Sequence, residues 1–433
     1  MSTQSPLLSR RGSNHRLVPL QSAGDSGVST HVNTFDRALA RWILKGLWNP
    51  PVTIVLWNGD EFHGTDTATD LRVIFKNRRS LWETARKSTL GFGDGYTRGD
   101  IDVEGDLDRL ISAIFLARPA APPHRKPWRE WKSPHIRKQH SLQTAKECAV
   151  HHYDIGNDFY RLWLGTDLVY TCAYYREDSL TLDEAQTAKM DHVCRKVQLQ
   201  PGETVYEAGC GWGSLALHMA KNYGVKVRAF NISDEQIALA QEQARQQGLE
   251  HLVEFIEDDF RNIEGECDAF ISVGMLEHIG TGNYAALGEV MARTLKPNGY
   301  GLIHSIGQRI SGQPLDPWIE SRIFPGAYTP SLREIMEIME PAGLNVLDVE
   351  NLRLHYARTL RDWSSLFERN ADRIRSMYND AFVRLWRLYL AGSIAAFEAD
   401  ELQLYQVLCT PARNNHIPWT REHLYRPTNG EGA

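Results

Sequence analysis

No two of the six cysteines (Cys148, Cys172, Cys194, Cys210, Cys267 and Cys409) stand at CxxC spacing, and no histidine cluster lies at a metal-ligand interval. This excludes a metal centre built on such motifs and leaves the cysteines as reduced thiols of a cytosolic protein. A basic excess is also missing. The chain sets 48 Lys+Arg against 54 Asp+Glu, a net charge of -6, which excludes a general nucleic-acid binder, since that role needs a basic face. Long hydrophobic runs are lacking as well: the longest strongly apolar helical stretch, 388–397, is about half of the roughly 20 residues a membrane span requires. The opening "MSTQSPLLSRRGSNHRLVPLQSAGDSGVST" has no signal-peptide apolar core. Its composition predicts a disordered tail over 1–31; an organelle transit peptide shares that composition but carries an amphipathic Arg-bearing helix, which is absent here.

What is present is enough chain, 433 residues, for two domains and a large core. Residues 32–118 predict a small α+β domain: a helix at "FDRALARWILKGLW", strands at "VTIVLWNGDEFHG" and "DLRVIFK", then the Gly/Asp-rich "GFGDGYTRGDIDVEGDLDRLISAIF". Asp100, Asp102, Glu104 and Gly105 imitate a calcium loop, but the twelfth position is Ile111 instead of a bidentate Glu. Acidic turns before a helix account for them better. Residues 119–145 read as a Pro-rich basic linker. It is either a plain spacer or a membrane-surface patch, in which Arg125, Lys126, Arg129, Lys132, Arg137 and Lys138 meet anionic lipid while Trp128 and Trp131 sit at headgroup level.

Over 146–433, helix and strand patterns alternate, which predicts a doubly wound α/β sheet. Thr181 with Glu184 and Ser233 with Gln236 form capping boxes for helices running to Val197 and Gln247. Short apolar strands fall at "TVYEAG", "KVRAFNI", "VEFIED", "AFISVGM" and "GLIHSIG". After the first strand, "EAGCGWGSLALHMA" supplies a Gly-rich turn opening a helix. It matches neither the GxGxxG dinucleotide fingerprint nor a P-loop with its lysine. Carboxylates and amides instead mark the strand ends: Glu207, Asn231, Asp258 and Asp259. Such a rim suits a ligand with hydroxyls and amines and repels phosphates, which points to S-adenosylmethionine.

"YDIGNDFYRLWL", "YTCAYY", "EAGCGWG", "NISDEQ", "ISVGMLEHIG", "DPWIESRIFPGAYTPS" and "LHYARTL", collinear over about 146–406, together resemble the cyclopropane-fatty-acyl-phospholipid synthases and the related mycolic acid cyclopropane synthases. The N-terminal domain resembles that of the longer, phospholipid-acting members. The resemblance implies a Rossmann-like methyltransferase sheet with inserted lipid-channel helices. It also implies that Tyr170 and Thr171 flank S-adenosylmethionine, that Glu207, Ala208, Gly209, Gly211 and Gly213 hold its methionine end, that Asn231, Ile232 and Gln236 line the ribose, and that Asp258 and Asp259 bracket adenine. Thr171 and Asn231 stand where Ser and Thr are more usual in the family.

The resemblance further implies that a methylene is added to a cis double bond of a phospholipid acyl chain, with bound bicarbonate as base. Its cradle maps to Glu277, His304 and Tyr356 through their side chains and to Cys172 and Ile306 through their backbone. A homodimer at the inner face of a membrane is also implied. Each cradle residue has an ordinary structural reading too: a core histidine, a helix-capping carboxylate, a small core thiol, a packing tyrosine. His278 carries no role here beyond that of a neighbour. Ser393 stands where some members have Cys, which argues against a covalent cysteine step. The segment "FERNADRIRSMYNDAFVRLWRLYLAGSIAAFEADELQLYQVL" reads as C-terminal helices whose apolar stripe packs the core or lines the acyl channel. Three rival functions remain: a fatty-acyl C-methyltransferase yielding a methyl-branched or methylene chain, a small-molecule N- or O-methyltransferase, and a non-catalytic lipid-surface protein that binds the cofactor as a sensor, against which the intact "GCGWG" and "EHIG" argue.

Overall fold

The computed structural model describes residues 31–66, 69–119 and 155–425. Apart from His31 and Pro119, the expected tail (1–31) and basic linker (119–145) lie outside the described residues, as does Cys148.

The N-terminal part opens with α1 (Thr34–Gly46), whose start is fixed by a capping box between Asn33 and Asp36. Four short strands, β1 (Thr53–Val55), β2 (Glu61–His63), β3 (Arg72–Phe75) and β4 (Ile101–Glu104), form a sheet in the order β2-β1-β3-β4. Helices α2 (Arg78–Lys87) and α3 (Thr89–Arg98) lie between β3 and β4, and α4 (Leu107–Leu116) follows. The Gly-rich "GFGDGYTR", to which the sequence assigns no element, is part of helix α3. Glycine disfavours helix by roughly 1 kcal/mol per residue relative to alanine, but here close packing needs it. A Cβ at Gly91 would stand 2.0 Å from the Glu83 carbonyl oxygen, and one at Gly93 would stand 2.3 Å from the Trp318 ring. The calcium-like segment is strand β4, with Asp102 paired to Lys76 and Arg384.

The larger part carries α5 (Leu182–Lys196), β5 (Thr204–Ala208), α6 (Ser214–Tyr223), β6 (Lys226–Asn231), α7 (Asp234–Gln247), β7 (Val253–Glu257), β8 (Cys267–Val273), α8 (Tyr284–Thr294) and β9 (Leu295–Gln308). It continues through α9 (Pro317–Arg322), α10 (Leu332–Met339), β10 (Leu344–Asn351), α11 (Arg353–Arg369), α12 (Ala371–Met377), α13 (Asp380–Glu398) and β11 (Leu402–Pro411). The seven strands run β10-β11-β9-β8-β5-β6-β7. β5 through β9 pair in parallel, and β11 joins antiparallel between β9 and β10. All five expected parallel strands are present. The capping box of α5 is complete, whereas at α7 only Ser233 caps, because Gln236 turns its side chain to Asn231. The expected run of C-terminal helices is corrected: α13 stops at Glu398 and "LQLYQVL" crosses the sheet as β11.

Chain order reverses between β5 and β8, so the cleft where open α/β sheets take their ligands lies at the carboxyl ends of those two strands. The N-terminal part packs beside it. Arg322 holds Asp94 through two bonds of 3.0 and 2.9 Å, Arg384 reaches the Ile101 carbonyl at 2.6 Å, and one apolar cluster runs from Val32 to Leu404.

Candidate active site

A single cavity of about 1250 Å³ joins the sheet edge to the N-terminal part. That exceeds the roughly 300–1,000 Å³ of ordinary small-ligand sites, leaving room for two ligands end to end. One end is polar and lies over β5, β6 and β7; the other is apolar, with Ile43, Val73, Phe92, Ile111 and Ile114 on its wall.

At the polar end, β5 delivers Glu207 just before the Gly-rich turn, where Gly209, Gly211 and Gly213 all take positive φ. Gly209 and Gly211 border the cavity. Gly213 does not; its Cβ would stand 2.6 Å from Phe255, so its role is to seat α6 closely on β7. Ala208 is likewise buried behind the wall. Glu207 is 2 % exposed, and its Oε2 meets no hydrogen-bond partner. Burial pushes its carboxyl up to about 8. Opposite in sign stands Lys189 of α5, also buried and on the cavity wall, with its Nζ 3.2 Å from the Thr171 hydroxyl. Burial pushes this ammonium down to about 8. A carboxylate and an ammonium, each short of solvation, fit the two charged groups of an amino-acid ligand end. Lys189 had not been singled out, although the sequence offered a signal: it falls on the same helical face as Ala185, Met190 and Val193.

Tyr170 and Thr171 also border the cavity, and the Tyr170 hydroxyl bonds that of Tyr389 at 2.9 Å. Asn231, Ile232 and Gln236 line it as expected, but the Asn231 amide is committed to the Gln236 side chain (2.8 Å) and the Gly211 carbonyl (3.3 Å). It braces the turn. The two aspartates divide: Asp259 is clamped by Arg261 at 2.6 and 3.0 Å, whereas Asp258 accepts through Oδ1 alone, from the Asp259 N–H and the Asn262 amide. The acidic group left for a ligand at this end is Asp258.

Midway along the cavity, Glu277 follows β8 and faces β9. Its Oε1 accepts from the Ile306 N–H at 2.6 Å, while Oε2 is buried without a partner. Burial pushes the carboxyl up to about 7, against the lowering effect of backbone hydrogen bonds and of the Ser305 side chain. His304 of β9 is 1 % exposed, and burial pushes its ring down to about 3, so it stays neutral. The Gln406 amide of β11 donates to Nδ1 at 3.0 Å, which leaves the ring proton on Nε2, itself without a partner. One unengaged acceptor and one unengaged donor thus sit in the same wall. Tyr356 of α11 borders the same space and stacks on Phe397 at 4.6 Å. Cys172, expected to serve the cradle through its backbone, keeps its side chain out of it. It is fully buried outside the cavity wall, its thiol donates to the Ala173 carbonyl at 3.1 Å, and burial raises its pKa far out of thiolate range. The Ile306 N–H is occupied by Glu277.

Aromatic faces complete this stretch: Tyr170, Tyr389, Phe324 and His278 all border the cavity, with Phe324 5.7 Å from Tyr389 and 5.8 Å from His278. One face of α13 (Leu388, Tyr389, Gly392, Ser393, Ala396 and Phe397) lines the passage toward the apolar end. Among the described residues, no group of His, Cys, Asp or Glu is placed to hold a metal, and no helix is long and apolar enough to cross a membrane.

A sequence model described as "Mycolic acid cyclopropane synthetase" matches residues 140–407, and a domain of unknown function matches 40–120. The chain is 36% identical over 350 residues to the Cyclopropane-fatty-acyl-phospholipid synthase of Escherichia coli (80% of this chain, 89% of the relative). It is 34% identical over 393 residues to a "Probable fatty acid methyltransferase" of Pseudomonas putida (87% and 96%). Among solved structures, the mycolic acid cyclopropane synthase CmaA1 "complexed with SAH and CTAB" superposes with a TM-score of 0.58 at 28% identity, covering 61% of this chain and 98% of that one. Coclaurine N-methyltransferase, at 24% identity and a TM-score of 0.61 over 74% of this chain and 98% of its own, shares the fold. With the family model spanning 268 of 433 residues, the chain belongs to the mycolic acid cyclopropane synthetase family and is an S-adenosylmethionine-dependent methyltransferase.

Proposed function

We propose that the protein is a cyclopropane-fatty-acyl-phospholipid synthase, adding a methylene from S-adenosylmethionine across a cis double bond in a phospholipid acyl chain. The observation that carries this reading is the placement, in one cavity, of the Gly-rich turn, the unengaged Glu277 Oε2 and His304 Nε2, and an apolar passage continuing into the N-terminal part. When bound, S-adenosylmethionine supplies an electrophilic methyl on a sulfonium. Glu207 and Lys189 would hold its ammonium and carboxylate, and Asp258 would take the adenine amine.

An alkene is a weak nucleophile, so alignment matters most, and a well-oriented pair can gain roughly 7–11 kcal/mol over a free encounter. The passage walls on α13 and α4 confine the acyl chain. Tyr170, Tyr389 and Phe324, aromatic rings on the cavity wall, would stabilise positive charge developing on the chain. The residues at the cavity's midpoint fit bicarbonate, which would supply the base that removes the proton before ring closure. Glu277 Oε2 would accept from its hydroxyl and the His304 Nε2–H would donate to its charged oxygens, the two together fixing its orientation. Cys172 takes no part through its thiol.

The protein would act at the inner face of a membrane, as a homodimer. Expression in a host without such activity, followed by mass spectrometry and proton NMR of the phospholipid acyl chains, tests the reading. A gain of one CH2 with upfield ring protons supports it; a methyl doublet or a methylene signal favours the fatty-acyl C-methyltransferase alternative, which the Pseudomonas putida relative keeps open. An assay stripped of carbon dioxide that runs at full rate removes bicarbonate from the account and favours a small-molecule N- or O-methyltransferase. Light scattering that finds a monomer removes the dimer.

A further inference from the structure

The N-terminal part exposes large aromatic side chains that its own core does not need. On α1 and just after it, Trp42 is 59% exposed and Trp48 53%. Phe35, 53% exposed, stacks at 4.9 Å on Trp82 of α2, which is 43% exposed. Phe35 and Trp82 thus share one face across the two helices, and Trp42, seven residues on from Phe35 along α1, continues it. Trp48 is held at φ 61, a left-handed conformation that is a genuine outlier for a bulky residue. A strained backbone that displays an indole to solvent is not explained by packing.

Charge on the same face is one-signed. The acids of α1 and α2 are both neutralised within the fold: Asp36 is buried under Arg78, and Glu83 lies between Arg79 and Arg98. Arg41, Lys45, Arg86 and Lys87 are exposed and pair with no acid among the described residues. This is a local basic patch on a chain whose net charge is -6.

The patch also surrounds an opening. Trp42, Gly46, Trp48, Ser88 and Thr89 are exposed and line the cavity, so the apolar end reaches the surface between the C-terminal end of α1 and the α2–α3 junction. Basic side chains with interleaved indoles around an apolar mouth match the layers of an anionic bilayer in order: charged headgroups, the interface that Trp favours, then acyl chains.

We infer that this α1–α2 face is the surface by which the protein docks on an anionic phospholipid bilayer, with Trp42 and Trp48 inserted beside the mouth that admits the acyl chain. The inference rests on the lipid-modifying reading above for the purpose of the mouth, but docking is measurable without turnover. The test is flotation of the full-length protein with saturated phosphatidylglycerol vesicles and, separately, phosphatidylcholine vesicles, with no cofactor present. The wild type is expected to prefer phosphatidylglycerol and to lose binding as salt rises. Each basic residue near an anionic surface contributes about fivefold in affinity, so Arg41→Glu/Lys45→Glu/Lys87→Glu should weaken binding at least about a hundredfold.

Trp48→Gly is the control for folding: it relieves the left-handed strain, so the melting temperature should hold or rise while vesicle binding falls. Three results overturn the inference. They are unchanged binding in both variants, loss of binding only when Lys126, Arg129 and Lys132 of the linker are reversed, and a change in oligomeric mass in the α1–α2 variants, which would make the face a protein interface. A protein that docks through this face yet modifies no lipid supports the inference and sinks the proposed reaction instead.

Discussion

Replacing Glu277 with Gln separates a chemical role for this residue from a structural one. The glutamine carbonyl can keep the 2.6 Å bond from the Ile306 N–H. What changes is the second position, where the Oε2 acceptor becomes an NH2 donor. The wild-type carboxyl is pushed up from 4.5 to about 7 by burial, so holding it ionised in the fold costs on the order of 3 kcal/mol. Glu277→Gln removes that cost, and the melting temperature should stay level or rise. Turnover should move the other way. A hydrogen bond to a charged partner is worth roughly 1.5–3 kcal/mol, which corresponds to a loss of about 10- to 100-fold in kcat. Sign and pH window follow from the raised pKa: the working form is the carboxylate, so wild-type turnover should fall as pH drops through about 7. His304, pushed down to about 3, stays neutral across that range and adds no second limb. The Gln variant should lose the limb that the Glu277 carboxyl sets and keep only the pH dependence of bicarbonate itself. The assay is S-adenosylhomocysteine release with unsaturated phospholipid vesicles, alongside calorimetry of S-adenosylhomocysteine binding, which should be unchanged. Turnover within twofold of wild type at pH 8, or a large fall in melting temperature, would refute the reasoning.

Two further substitutions probe buried charge. Lys189→Met should weaken S-adenosylhomocysteine binding by at least about tenfold without raising the melting temperature, since it also takes the counter-charge from the buried Glu207; unchanged binding by calorimetry would remove Lys189 from the cofactor site. Glu350 bonds His192 at 2.7 Å and Lys196 at 2.6 Å and, with its side chain 26% exposed, titrates near 2 in spite of burial, because those two partners favour its charged form. A depressed carboxylate contributes stability above its unfolded pKa of 4.5 that is lost as pH falls toward 2. The contribution is at most about 3 kcal/mol. Glu350→Gln leaves the buried Lys196 uncompensated, so urea denaturation at pH 7 should show a loss of about 3 kcal/mol, and an unshifted midpoint would contradict the assignment.

The five parallel strands were legible because each is a short apolar run bounded by a turn or a cap, and the Gly-rich turn because left-handed backbone needs glycine. β11 was not. "LQLYQVL" follows a long helix, and its strand character depends on β9 and β10 as partners, more than 50 residues away in sequence. The break itself is local: Asp400 sits in the left-handed region at φ 65. α3 was hidden for the opposite reason, since its glycines weaken the helix locally and are needed only where Glu83 and Trp318 approach. In the site, the family resemblance and not the residue types pointed to Glu277, His304 and Tyr356, and it did not say which atoms stay unengaged. That depends on Gln406, Ile306 and Arg261, whose relation to the site is set by the tertiary fold. Cys172 was expected to act through its backbone, and a thiol that points into the protein agrees with a side chain that takes no part.

The central claim is a one-carbon addition to a lipid alkene drawn from S-adenosylmethionine. Its most direct test is incubation of the purified protein with methyl-labelled S-adenosylmethionine and vesicles of a phospholipid bearing a single cis double bond, with the acyl chains then read by mass spectrometry and proton NMR. Label retained in a chain heavier by one CH2, with the olefinic protons replaced by upfield ring protons, is the predicted result. Intact olefinic protons and an unlabelled lipid, from a protein that still binds S-adenosylhomocysteine, would contradict it.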